Sequence, residues 1–342
     1  MVEKRISILV CSALVSGILG GCSPSSKTTL AGQKENQSDL IKIGVTQLVE
    51  HQALDLAREG FITALKDKGY EEGKKIKIDF ENAQGDIPTT QTIAEKFVND
   101  NVKLIAAITT PSAQAAFNAT KRANKNIPIV ITAVTDPIQA GIAKSLDKSG
   151  TNVTGTSNAI SIEGQFQLIK RIIPNAKNIG IVYNTSENNS EIQVKQAIEA
   201  ATNFEFNIVT SGITNTNEIP QALNSILGKI DVLYVPTDNM IASSIATITK
   251  QCYIKNIPVF GSESGHVKGG AVATEGIDYF KLGYETGSKA VEVLEGKNPG
   301  EIPITKTKEV TTFINKDAVK KLSIKVPEDI SSKAEKITGG VD

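Results

Sequence analysis

The chain has no tryptophan, only two histidines and only three cysteines in 342 residues. The histidines, His51 and His266, stand far apart, and no Cys/His spacing suits zinc. No GxSxG, P-loop or GxGxxG motif follows a strand-like run. An enzyme, a metal and a cofactor are therefore not expected. Neither charge sign is in excess: Lys plus Arg and Asp plus Glu number 37 each. That balance removes the electrostatic case for nucleic acid or for a strongly acidic partner. The amino-terminal apolar run, "ISILVCSALVSGIL", is 14 residues long, too short for a comfortable membrane span.

What that run does have is a basic start, Lys4 and Arg5, and a distinctive end. A charged start and a short apolar centre read as a secretory signal. "LGGC", Leu19 to Cys22, has the Leu, small, small, Cys order of a bacterial lipobox. In that motif the thiol is acylated and the chain is cut before it. Residues 1–21 are thus expected to be a lipoprotein signal, with Cys22 as the lipidation site holding the protein at a membrane surface. Cleavage would take Glu3, Lys4 and Arg5 from the 37 of each sign and leave a net charge of −1. It would also take Cys11 and leave Cys252 as the one free thiol, which excludes an internal disulfide. Cys252 reads as a small core residue. "SPSSKTTLAGQKENQSD" has almost nothing to bury, so residues 22–39 read as the lipidated cysteine and a flexible tether.

From Leu40 onward, short apolar strands alternate with amphipathic helical segments. The strands expected are 41–46, 76–80, 104–108 and 129–134, then 179–183, 206–210, 232–235 and 259–260. Runs apolar on both faces, alternating with helices, indicate parallel sheets covered on both sides. "SGTNVTGTSN" separates the two sets, and the expected fold class is α/β, with two lobes, each a doubly wound parallel sheet. The tail offers an extended "GGAVATEGID", a helix in "YFKLGYETGSKAVEVLEG" and a strand in "KEVTTFINKDAV". If that helix returns to the first lobe and the strand to the second, three crossings form a hinge. The expected lobes are then 40–157 with 276–304, and 158–275 with 305–335.

Polar residues recur at the carboxyl ends of these strands. They are "VTQLVEH" (45–51), "ITTPSA" (108–113), "AVTDP" (133–137), "VYNTSEN" (182–188), "VPTDN" (235–239) and "FGSESG" (260–265). In open parallel sheets ligands bind outside those ends, so two facing lobes would bring all six to one cleft. Helix capping accounts for many of these side chains singly. It does not account for the scarcity of large charged groups among so many neutral donors.

"TQLVEHQALD", "ENAQGD", "ITTPSAQAA", "AVTDP", "NVTGTSN", "VYNTSENNS" and "YVPTDN" together resemble the substrate-binding lipoproteins of ABC transporters in the family of aromatic amino acid uptake, which includes tryptophan and tyrosine binders. The resemblance runs from Ile41 to Ile314. It implies a periplasmic-binding-protein type I fold, a ligand between the lobes, and permease and ATPase partners. It also implies an extracytoplasmic location at the bacterial cell membrane. A surface adhesin or interaction role, with a host or matrix partner on an outer lobe face, is the alternative and is compatible with ligand binding.

A zwitterionic ligand needs donors for its carboxylate and an acceptor, preferably charged, for its ammonium. Thr109, Thr110 and Ser112 stand where a strand gives way to a helix N-terminus, which favours an anion, and Thr135 is their helper. Asp238 and Glu187 are the acidic candidates for the ammonium, with Asp238 preferred because Thr237 and Asn239 flank it. Asp136, followed by Pro137, reads as a turn or cap residue. Gln47 and Glu50 are candidates for the side-chain pocket, and His51 stands equally for pocket or solvent. Tyr183 is a candidate to stack on the ligand, with Asn184 beside it, and Glu263 is a further member of the cleft.

Overall fold

The computed structural model describes residues 40–307 and 309–341. The expected signal, Cys22 and the tether lie outside the described residues. The described residues belong to one compact unit.

The first lobe opens with β1 (Ile41–Gln47), α1 (Gln52–Asp67), β2 (Ile76–Asn82) and α2 (Ile87–Asn99). It continues through β3 (Leu104–Ile108), α3 (Thr110–Arg122), β4 (Ile129–Val134) and β5 (Val153–Ser157). The second lobe then runs α4 (Ile162–Ile172), β6 (Asn178–Asn184), α5 (Asn188–Ala201), β7 (Asn207–Ile213) and α6 (Ile219–Ile226). It adds β8 (Val232–Tyr234), α7 (Asn239–Ser243), α8 (Ile245–Ile254), β9 (Val259–Phe260), α9 (Ser264–Lys268) and β10 (Ala273–Gly276). Last come α10 (Tyr279–Leu294), β11 (Thr305–Lys306), β12 (Thr311–Asn315), α11 (Lys316–Lys321), α12 (Glu328–Ser331) and β13 (Glu335–Ile337).

The strands form two sheets, ordered β11-β5-β4-β3-β1-β2 and β13-β12-β10-β9-β8-β6-β7. All pairings are parallel except β10 with β12, so the second sheet is mixed rather than purely parallel. The chain crosses between lobes three times: after β5, between β10 and α10, and between β11 and β12. Two expected boundaries move. Thr305 and Lys306 pair with Thr156 and Ser157 in the first sheet, and Gly276 pairs with Thr311 in the second. The separator "SGTNVTGTSN" contains β5, a buried strand whose Thr, Gly and Ser residues hide it from an apolar pattern. After β8 the helical chain is broken at Ser244 into α7 and α8, with Cys252 buried on α8 and its thiol pushed up to about 12 by burial.

The return helix α10 is fixed to the first lobe by contact with α1 at backbone distance. A Cβ on Gly283 would lie 1.8 Å from Ala57 O, and one on Gly60 would lie 2.1 Å from Phe280 O. Only glycine permits that approach. Buried Lys289 on α10 donates to Gly155 O, Pro303 O and Thr305 Oγ1 at 2.7–2.9 Å, tying β5 and β11 to the same helix. Everything from the start of α10 to β11 therefore belongs mechanically to the first lobe.

Candidate functional site

The site lies where carboxyl ends of the two sheets face each other. In the second lobe the same construction occurs three times. β6, β8 and β9 each lead to an acidic residue at a helix N-cap: Glu187 before α5, Asp238 before α7 and Glu263 before α9. Unpaired N–H groups at a helix start favour a negative charge there. All three are buried, at 1%, 0% and 3% exposure.

Asp238 does cap its helix, as Oδ1 accepts from Ile241 N at 3.0 Å. Its Oδ2 accepts from Asn184 N at 2.6 Å, which locks the end of β6 to that of β8. Glu187 accepts from Asn184 Nδ2 (3.3 Å), Asn189 Nδ2 (3.1 Å), Asn239 N (3.3 Å), Met240 N (3.2 Å) and Asn239 Nδ2. Burial, and then the neighbouring Glu187 charge, push Asp238 from the usual carboxylate range up to about 7. Among the described residues neither acid has a Lys or Arg in ion-pair contact.

Glu263 has different company. Its Oε1 lies 3.5 Å from both His51 Nδ1 and His266 Nε2. His266 Nδ1 accepts from Ser262 N at 3.2 Å, so its proton sits on Nε2 and faces Glu263. Burial pushes His266 down to about 4 and keeps it neutral near pH 7. No group of three or more His, Cys, Asp or Glu side chains among the described residues is arranged to hold a metal.

The first lobe contributes His51, Leu54, Ala133, Thr135, Asn158 and Tyr279. A register shift in the pairing of β4 with β5, between Ile131 and Val134, and a φ of 55° at Ala133 turn the end of β4. Asn158, at the first crossing, donates to Tyr279 Oη at 3.0 Å, just after the second. Among the described residues, polar contacts across the lobes include His51 to Glu263, His51 Nε2 to Asn239 Oδ1 at 3.4 Å, and Thr135 Oγ1 to Thr237 Oγ1 at 3.4 Å. The lobes are closed. The cavity they enclose is only ≈ 10 Å³, room for about one water molecule. Anything larger requires the lobes to part or side chains to move.

A two-lobed α/β clamp with an acid-lined interlobe cavity is the geometry of a binding protein, and the comparisons with known proteins agree. Residues 42–338 match the family model described as ABC transporter substrate binding protein. The chain belongs to the ABC transporter substrate-binding family. This binding protein is 50% identical to a tyrosine-binding protein of Clostridioides difficile, over 94% of this chain and 93% of that one. Among solved structures, a Streptococcus pneumoniae ABC domain in complex with L-Trp is 35% identical, with a TM-score of 0.83 over 87% of this chain and 99% of that one. A ligand-free, open substrate-binding protein with adhesive properties from Clostridium difficile is 49% identical, covering 88% and 100%. Its TM-score is lower, 0.66, despite the higher identity. That structure is described as open, whereas the lobes here are closed.

Within this binding protein, Thr135, Thr237, Asp238, Asn239 and Glu263 line the cavity, and Glu187 and Asn184 brace them from behind. Four groups of expected site residues stand elsewhere in this structure. Glu50 is exposed, because the chain turns its successor His51 inward instead. Gln47 is buried but faces α1, donating to Asp55 at 3.0 Å and accepting from Arg58 at 2.9 Å. Tyr183 packs on the second-lobe core next to Gly212 on the edge strand. Thr109, Thr110 and Ser112 are buried at the start of α3 and are not among the cavity-lining residues. Thr109 holds a φ of 92°, a strained value for a β-branched residue. Asp136 caps the turn after β4, accepting from Ile138 N and Gln139 N at 3.0 Å. Sequence reasoning missed Asn158, Asn189 and Tyr279. The first closes the quoted "NVTGTSN", and Tyr279 opens the returning helix, so both crossings carried a usable signal.

Proposed function

We propose that this protein captures an amino acid with an aromatic side chain, tyrosine, tryptophan or phenylalanine, between its lobes and delivers it to an ABC importer. The observation that carries the proposal is the unbalanced acid of the cavity. Asp238 and Glu263 line it, Glu187 backs it, and no Lys or Arg lines it. An ammonium group supplies the missing charge, and removing one from water is costly unless it meets a carboxylate. Asp238 and Glu263 are the acceptors in this reading. Thr135, Thr237 and Asn158 replace Thr109, Thr110 and Ser112 as the donors for the ligand carboxylate. Leu54, Ala133, Ala242 and Tyr279 offer apolar surface to the side chain. The tyrosine-binding relative and the L-Trp complex support an aromatic one.

Titration calorimetry of the purified protein with the three aromatic amino acids tests this. A binding heat with at least one supports it, and none with any overturns it. Membrane attachment through acylated Cys22, which holds the protein outside the cytoplasm, is part of the same proposal and rests on "LGGC". A second role on a host or matrix surface is supported by the adhesive properties of the 49% identical relative. Binding of the purified protein to immobilised matrix proteins, unaffected by free amino acid, would establish it.

A further inference from the structure

We propose that the acidic end of the cavity holds one proton when no ligand cation is present, and that the ligand's ammonium displaces it, so that capture releases a proton. This rests on the amino-acid reading above. The geometry is that of a carboxylate pair without a counter-ion. Glu187 and Asp238 are 1% and 0% exposed and are held by the same residue, Asn184, through its side chain and its backbone. Two buried carboxylates so placed cannot both ionise without a large cost.

The partners decide where the proton rests. Five N–H donors surround Glu187, a setting that suits an acceptor-only carboxylate. Asp238 has backbone bonds from Asn184 and Ile241 and is the acid pushed up to about 7. The other titratable groups facing the cavity are His51 at the start of α1, Glu263 and His266 about α9, and Tyr279 on α10. His266 is held neutral by burial, and Tyr279 is held protonated by burial and by Glu263. The His51 ring pairs with Glu263, not with Asp238. In the exchange the Asp238 O–H bond breaks, the proton leaves to solvent, and the ammonium brings the same charge in.

The test is calorimetry of wild-type protein at pH 7 in buffers of different ionisation enthalpy. With Asp238 at about 7, roughly half a proton should be released per ligand bound, and affinity should rise about tenfold between pH 6 and pH 8. Binding heats independent of buffer, with affinity flat over that range, overturn the proposal while leaving amino acid binding intact. Release that persists in Asp238→Asn and disappears in His51→Gln overturns the assignment to Asp238. A measurement without ligand stands beside these. Infrared difference spectra of the ligand-free protein near pH 6 should show a protonated-carboxyl band that is absent from Asp238→Asn. Identical spectra overturn the proposal even if no aromatic amino acid binds.

Discussion

Glu187→Gln keeps the shape of the side chain and exchanges one acceptor oxygen for a donor. Around Glu187 that exchange has no good orientation. Oε1 serves Asn184 Nδ2 and Met240 N, while Oε2 serves Asn189 Nδ2 and both nitrogens of Asn239. Whichever way the amide turns, its NH₂ meets at least two N–H donors and strands them. Each buried donor left unsatisfied costs about 1–3 kcal/mol, so the direct loss is about 4 kcal/mol. Neutralising Glu187 also relieves its repulsion of Asp238, worth roughly 1–2 kcal/mol because Asp238 is itself half-neutral near pH 7. The net loss is about 2–3 kcal/mol, a fall of roughly 3–5 °C in the melting midpoint of a domain this size. Asp238→Asn strands only one of its two backbone donors, Asn184 N and Ile241 N, and should fall by less. Thermal melts of both ligand-free variants by circular dichroism would show the order. A Glu187→Gln midpoint within a degree of wild type, or above Asp238→Asn, would refute the claim that Glu187 organises the second-lobe half of the site.

Stability should depend on pH through two opposed groups. Asp238 is raised from 3.8 to about 7, so its contribution is full below about pH 4 and is lost as pH rises through 7; His266 is lowered from 6.5 to about 4, so its contribution is full above about 6.5 and is lost as pH falls. Between pH 4 and 6.5 they cancel. His266→Asn should then lose stability with rising pH and Asp238→Asn should gain it, each by about 1 kcal/mol per pH unit; urea melts showing slopes of the same sign would contradict this. Cys22→Ala should release the protein from the membrane fraction, and unchanged retention and mass would remove the lipobox reading. Small-angle scattering should show a smaller radius of gyration with saturating ligand, since the open form must admit it and the closed form contains it; identical curves would count against a closing cleft.

The alternation of apolar strands and amphipathic helices was enough to read two parallel-sheet lobes, because burial on both faces leaves a plain signature. β5 escaped since Val153 is its one large apolar residue, and its burial comes from neighbours on both sides in the sheet. β7 ran three residues further than expected because an edge strand alternates in exposure and its polar end looks like loop. At the site, Asp238, Thr237 and Asn239 were legible as polar residues abutting a buried strand. Glu50 and His51 were not separable, since one residue of phase decides which points inward. Asn158 and Tyr279 were harder still, because their meeting depends on two crossings 121 positions apart.

The attachment of α10 to α1 divides the cavity unequally. Tyr279, Asn158, Thr135 and His51 travel with one lobe, whereas Glu187, Asp238 and Glu263 all travel with the other. Opening the clamp therefore leaves a jaw whose cavity lining carries no carboxylate facing an acidic one, and on the proposed reading the acidic jaw attracts the ammonium from solvent. Capture would proceed in a fixed order, with the amino group landing first on the second lobe. The first lobe then closes over whatever side chain is presented. On this order, arrival is governed by a feature every amino acid shares, and discrimination among amino acids falls to the closing step and to how long the closed state survives.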